Sequence, residues 1–286
     1  MLEEKKKGAS KYGINVIETA KSGLPQRQCA KDQIMPRFPF SMMITGRSGS
    51  GKTNLMINIM TRPELYGRFF HRICVFSPTA GSTDDLYAQL KLPKENYIPD
   101  MKPEYLDNII AARKALVEEK GLEWVGKNDR MLIIMDDVIA NRDFLESPQA
   151  LKMFALLRHF LCCVIVMVQS YNKLPRALRL NANAIMVFPS LQSEVDVLKD
   201  EITPSGMPKK VFEKVIAYAT SGRYDFLYVN NHADPGKRLR KNLDEIIDLD
   251  KFAAIDIPKA QDPDHVSKRG RPRKDSGAVK EGGVPG

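Results

Sequence analysis

Eight consecutive residues, Gly46-Arg47-Ser48-Gly49-Ser50-Gly51-Lys52-Thr53, fit the pattern G-x-x-x-x-G-K-[ST]. Glycines at these places let backbone N–H groups wrap a phosphate, the lysine brings a cation to the β- and γ-phosphates, and the threonine hydroxyl can ligate magnesium. The match lies between an apolar run at 40–45 and a helix-compatible run at 53–60, the strand, loop and helix order that the chemistry requires. A Gly/Ser-rich turn without a ligand shares the composition but has no need of that setting. ATP and Mg2+ are therefore the expected ligands.

A second feature is the apolar run at 131–135 ending in Asp136-Asp137. The first carboxylate is placed to hold magnesium through its water shell beside Thr53, and the second to orient and deprotonate an attacking water. A loop or helix-capping aspartate is the plainer reading of Asp137, whereas a small-molecule kinase has no need of the pair. Gln169-Ser170 closes another apolar run, so Gln169 either meets the γ-phosphate and its water or simply ends a strand in solvent. Arg158 and Arg179 flank that run; each is either an arginine finger for a neighbouring subunit's phosphate or a surface or ion-paired arginine.

These residues need a scaffold. Apolar runs at 40–45, 73–76, 131–135, 162–168, 184–188 and 226–229 are nearly continuous rather than alternating, which predicts strands buried on both faces, as in a parallel sheet covered by helices. Helices are expected at 53–60, 103–120 and 147–160, the last with Ser147-Pro148 as cap and first-turn proline. The expected fold is thus an α/β P-loop core at 37–261, with a leader of little fixed structure at 1–36 and a basic tail at 262–286.

Composition narrows the class further. With 43% hydrophobic and 28% charged residues the chain has ample core material, so a wholly disordered chain is excluded. The longest unbroken apolar run, 160–168, is far short of the ~20 residues of a membrane-spanning helix. The start of the chain lacks the apolar stretch of a secretory signal, which predicts a cytosol-like compartment, and the four cysteines have no metal or redox spacing. Of the net charge of +9, +2 sits in residues 1–11 and +4 in 267–286. The ends rather than the core therefore carry most of the attraction for a polyanion.

Taken in order, Ile44-Thr45-Gly46 to Thr53, Val75-Phe76-Ser77-Pro78-Thr79, Ile133-Ile134-Met135-Asp136-Asp137-Val138, Leu157-Arg158-His159 and Val168-Gln169-Ser170-Tyr171 resemble the poxvirus-type genome-packaging ATPases of large DNA viruses, within the FtsK–HerA superfamily. The resemblance covers about residues 39–230. It implies an additional-strand, RecA-like P-loop core, a homo-oligomeric ring with ATP at subunit interfaces, translocation of double-stranded DNA, and capsid proteins as partners at viral assembly sites in the host cytoplasm or nucleus. It also makes Gln169 the sensor and Arg158 the preferred finger, ahead of Arg179. Asp137 stands where cellular members of the superfamily usually have Glu.

Outside that resemblance, Arg269-Gly270-Arg271-Pro272-Arg273 resembles the core of an AT-hook. Glycine allows close approach, proline keeps the segment extended, and arginines favour the potential of a narrow minor groove. A generic basic tail or a nuclear-localisation signal shares the composition. A packaging motor is the leading expectation; a non-packaging FtsK–HerA pump and an ATP-dependent DNA-tethering switch are the alternatives.

Overall fold

The computed structural model describes residues 23–78, 85–100, 102–137 and 142–253. Within them lie the strands β1 Ser41–Thr45, β2 Arg72–Phe76, β3 Tyr97–Ile98, β4 Met131–Asp136, β5 Cys162–Val168, β6 Ala184–Val187, β7 Leu227–Asn230, β8 Leu239–Lys241 and β9 Glu245–Ile246. They form one sheet in the order β3-β2-β4-β5-β1-β6-β7-β8-β9. The first six in that order run parallel, and β7, β8 and β9 continue the sheet antiparallel. One strand, β5, is inserted between the loop strand β1 and the acidic strand β4, which is the additional-strand arrangement.

Every residue of β1 and β5 is buried, which explains their unbroken apolar character. Side chains alternate between two cores: Cys162, Val164, Val166 and Val168 belong to one face, and Cys163, Ile165 and Met167 to the other. Helices cover both. On the second face lies α2 Lys52–Thr61, where Met56, Ile57, Ile59 and Met60 are buried. On the first lie α4 Pro103–Lys120, through Leu106, and α7 Pro148–Leu156, with α9 Gln192–Ile202 and α10 Lys209–Ala219 beyond. Short helices complete the chain: α1 Gln28–Lys31, α3 Asp85–Ala88, α5 Leu122–Asn128, α6 Arg142–Leu145, α8 Arg176–Leu180 and α11 Leu249–Ala253.

Local chemistry accounts for the boundaries. Ser147 Oγ accepts from the N–H of Ala150 at 3.2 Å with Pro148 in the first turn of α7, as the cap signal predicts. The helix then tightens to a 3-10 turn over Leu157–Phe160 instead of running on as α-helix.

The leader expectation needs correction over part of its length. Leu24, Cys29, Ala30 and Met35 are buried, and Tyr66 donates its hydroxyl to the carbonyl of Pro36 at 2.5 Å, so the fold begins well before Phe38. The sequence shows no periodicity here because these apolar residues are spaced by polar ones that face solvent. Residues 1–22 and the AT-hook-like Arg269 to Arg273 lie outside the described residues.

At the starts of the parallel strands, the end opposite the phosphate loop, Arg113 of α4 pairs with Asp129 just before β4 (Nη1 to Oδ1, 2.6 Å), both side chains under a tenth exposed. The same guanidinium donates to the carbonyls of Asp129 and Phe160. It pins α4 to the starts of β4 and β5.

Candidate nucleotide site

The loop leaves β1 and turns at once into α2. A side chain at Gly46 would lie 2.6 Å from Cβ of Phe188, so the loop passes β6 only with glycine there. Gly51 caps α2 at φ 101, a conformation that disfavours other residues. No side chain caps the helix N-terminus, so its first-turn amides and dipole face the loop. Ser50 Oγ is buried without a hydrogen-bond partner, and Lys52 Nζ donates to the loop's own carbonyls, Gly46 at 2.7 Å and Arg47 at 3.1 Å. An anion seated in the loop would satisfy both groups, and this is the fit expected of a phosphate.

Pairing within the sheet sets the opposite wall. Thr45 is level with Val168 and Asp136 with Met167, so the ends of β1, β5 and β4 converge. The N–H of Gly46 bonds the carbonyl of Val168 (3.1 Å) and that of Asp137 the carbonyl of Met167 (3.2 Å), leaving Gln169 between the loop and the acidic pair. Gln169 Nε2 donates to Asp137 Oδ1 at 3.0 Å. Asp137 holds φ 55, a left-handed conformation that aspartate tolerates better than most residues. These groups and the loop share one cavity of about 740 Å³.

Charge is tuned by burial. Burial raises the Asp136 carboxyl above the usual carboxylate range, and the Tyr87 hydroxyl and Lys52 pull it back. Burial lowers the Lys52 ammonium, against the raising effect of Asp136 and Asp137. Tyr87, 2% exposed on α3, donates its hydroxyl to Asp136 Oδ2. No motif marks this tyrosine, and sequence reasoning missed it; its place follows from α3 packing over the end of β4.

Thr53 and Asp136 line the cavity together. The described residues hold no cluster of three acidic, histidine or cysteine side chains fit for a metal by itself. A magnesium ion that arrives on nucleotide phosphates needs only the hydroxyl, a water-bridged carboxylate and solvent, so the donor set suits it.

The two arginines part company. Arg179 is buried at the end of α8, donating Nε and Nη2 to the two Glu201 oxygens (2.9 and 2.7 Å) and Nη1 to the Leu174 carbonyl at 2.6 Å, with its guanidinium over the ring of Tyr171. It is a packing arginine, and the finger expectation for it is corrected on that ground: reaching outward would leave the Glu201 carboxylate with only the exposed Arg176 and the Tyr171 hydroxyl. Arg158 lies in the 3-10 turn before β5 and donates Nη1 to Asn183 Oδ1 at 3.1 Å. It is therefore at the far end of β5 from Gln169, roughly 23 Å away at about 3.3 Å per residue. In its own chain Arg158 has no part in the nucleotide site.

The chain resembles the genome packaging NTPase B204 from Sulfolobus turreted icosahedral virus 2, solved with ATP-gammaS, at 18% identity over 67% of this chain and 92% of that one, TM-score 0.47. It also resembles EssC (ATPases 2 and 3) from Geobacillus thermodenitrificans, at 14% identity over 72% of this chain and 38% of that one, TM-score 0.46. No curated protein matches. The family model described as Poxvirus A32 protein matches residues 28–243, which span the phosphate loop, the acidic pair, Gln169 and all but the last strand of the sheet. On that match the chain belongs to the poxvirus A32 protein family of P-loop packaging ATPases.

Proposed function

We infer that this chain is an ATP-driven motor that moves double-stranded DNA, packaging a viral genome into a capsid. The observation that supports this most is the insertion of β5, which sets the Gln169 amide against the Asp137 carboxylate beside the loop (3.0 Å). A carboxylate so placed takes a proton from water, and the amide on it moves when the γ-phosphate leaves.

In this mechanism Lys52 exchanges the Gly46 and Arg47 carbonyls for the β- and γ-phosphates, and the loop amides and Ser50 hold the remaining oxygens. Thr53 and Asp136 would hold Mg2+, which would supply positive charge to the phosphate oxygens. Asp137 orients water for in-line attack and accepts its proton. Gln169 passes the change in γ-phosphate occupancy to β5. Arg158, remote from its own site, serves a neighbouring subunit in a ring, and capsid proteins receive the ring at viral assembly sites in the host cytoplasm or nucleus. The basic tail, through Arg269, Arg271 and Arg273, adds a minor-groove contact.

The test is hydrolysis with and without duplex DNA, together with displacement of a third strand from a triplex, for the native chain and for Asp137→Asn. A motor shows DNA-stimulated turnover and ATP-dependent displacement, both lost in the variant. Hydrolysis that ignores duplex DNA, or that never displaces the third strand, rules the motor out.

A further inference from the structure

The nucleotide cavity has two chemically different ends. Asp136, Asp137 and Gln169 stand at one; across the loop, beyond Gly51, the wall is Phe188, Tyr224, Phe226 and Leu243. Pairing explains why these meet. β7 runs antiparallel to β6 with Val187 opposite Leu227, so the residues that lead into β7 return to the edge from which the phosphate loop departs. Phe188 and Phe226 are buried against each other, with ring centroids 5.2 Å apart. Tyr224 is different: it is 57% exposed, yet its Cδ1 lies 3.4 Å from where a Cβ on Gly51 would stand. The ring is thus largely exposed one residue from Lys52, with the Arg223 guanidinium 5.1 Å from its centroid.

Direction follows from charge. Triphosphate oxygens run from the loop amides toward Lys52 and the acidic pair, so the nucleoside leaves on the opposite side, over Gly51. We propose that the ring of Tyr224, which lines the cavity together with Phe188 and Phe226, is the platform on which the nucleotide's base stacks, and that it grips the base by its face without reading its edge. This rests on the cavity being a nucleotide site. The four side chains of the wall carry one polar group among them, the Tyr224 hydroxyl; of the other polar side chains that line the cavity, Asn58 donates to Asn54 and Arg62 pairs with Glu64. Hydrogen bonds to a base edge are what give large discrimination between ligands, whereas every base has a face to stack. The consequence is a hydrolase that accepts purine triphosphates with little preference.

Calorimetric titration of the full chain with Mg-ATP, Mg-GTP and inorganic tripolyphosphate tests this, using native protein, Tyr224→Ala and Tyr224→Trp. Native protein is expected to bind ATP and GTP within about tenfold of each other. Tyr224→Ala weakens both by about tenfold, the scale of one base–aromatic stack, and leaves tripolyphosphate unchanged, while Tyr224→Trp restores both nucleotides. Undiminished ATP affinity in Tyr224→Ala, or a preference above about a hundredfold for one purine in native protein, overturns the proposal. Failure of native protein to bind either ATP or tripolyphosphate would instead bring down the nucleotide site itself.

Discussion

Gln169 and Asp137 meet just past the ends of two adjacent strands, the amide donating to Oδ1 at 3.0 Å. The pairing of β4 with β5 sets the two side chains level with each other. Preorganised groups of this kind act without reorganising as charge develops. Asp137→Asn keeps the shape but loses the base, so it should bind ATP with Kd within about threefold of native while kcat falls by roughly 10²–10⁴. Single-turnover hydrolysis alongside a binding titration separates the two, and loss of binding would show that Asp137 helps to hold the metal.

Tyr87 gives a prediction with a sign. Its hydroxyl lowers the Asp136 carboxyl against a larger upward push from burial. Tyr87→Phe removes the lowering contribution, so the carboxyl stays protonated to higher pH and the acid limb of the kcat/KM profile moves to higher pH. A limb that stays in place or moves to lower pH would show that the hydroxyl does not stabilise the carboxylate.

Arg158 and Arg179 should fail in different ways. Arg179→Ala leaves Glu201 buried with only the exposed Arg176 for charge, at 3.3 Å, so thermal and urea unfolding should show a loss of about 3 kcal/mol. Arg158→Ala should fold and bind ATP but hydrolyse slowly. Mixing it with Asp137→Asn should recover part of the activity at interfaces that join an intact Asp137 to a neighbour's Arg158. No recovery in assemblies verified as mixed would remove Arg158 from catalysis.

Arg113 offers a control remote from the site. Its loss strands Asp129, whose other cationic partner, Arg72, is largely exposed. Arg113→Ala should cost about 3–5 kcal/mol in denaturant unfolding, with ATP affinity per folded molecule unchanged. An effect on affinity alone would contradict the structural role.

Removing residues 267–286 takes away a net +4 and none of the nucleotide groups. Basal hydrolysis should stay within about twofold, while DNA affinity falls and the slope of log affinity against log salt becomes shallower by about 0.9 for each lost phosphate contact. An equal loss on A-tract and GC-rich duplexes would leave a basic tail and reject minor-groove reading.

How much of this was legible in the sequence depended on burial. β1, β4, β5 and β6 are covered on both faces, and apolar runs announce them, while β2, exposed at Arg72 and buried only at Val75 and Phe76, shows a shorter run. β3 and β9 have two residues each and β8 three, which is too little for any pattern to register. The helix α10 was open to reading and passed over: Phe212, Val215, Ile216 and Ala219 form its buried stripe at helical spacing. In the site, the loop and acidic pair are local in sequence and so were readable. Tyr87 was not, because its hydroxyl is defined by a contact 49 residues away. Arg179 was left between a finger and an ion-paired arginine for the same reason, since Glu201, its partner, lies 22 residues downstream.

The packed leader has a consequence for how the chain is made. Gln33 exchanges hydrogen bonds with Asp234, a separation of 201 residues, the N–H of Arg37 bonds His232, and Asn230 donates to the carbonyl of Gln33. The segment around Gln33 is therefore docked on residues synthesised 201 positions later. At roughly 5–20 residues per second the wait is on the order of 10–40 seconds. Over that interval Leu24, Cys29 and Met35 have no completed core to enter, so nascent chains present an apolar stretch that chaperones can recognise. Emergence of Asn230 to Asp234, rather than of the P-loop, is the event that closes this part of the molecule.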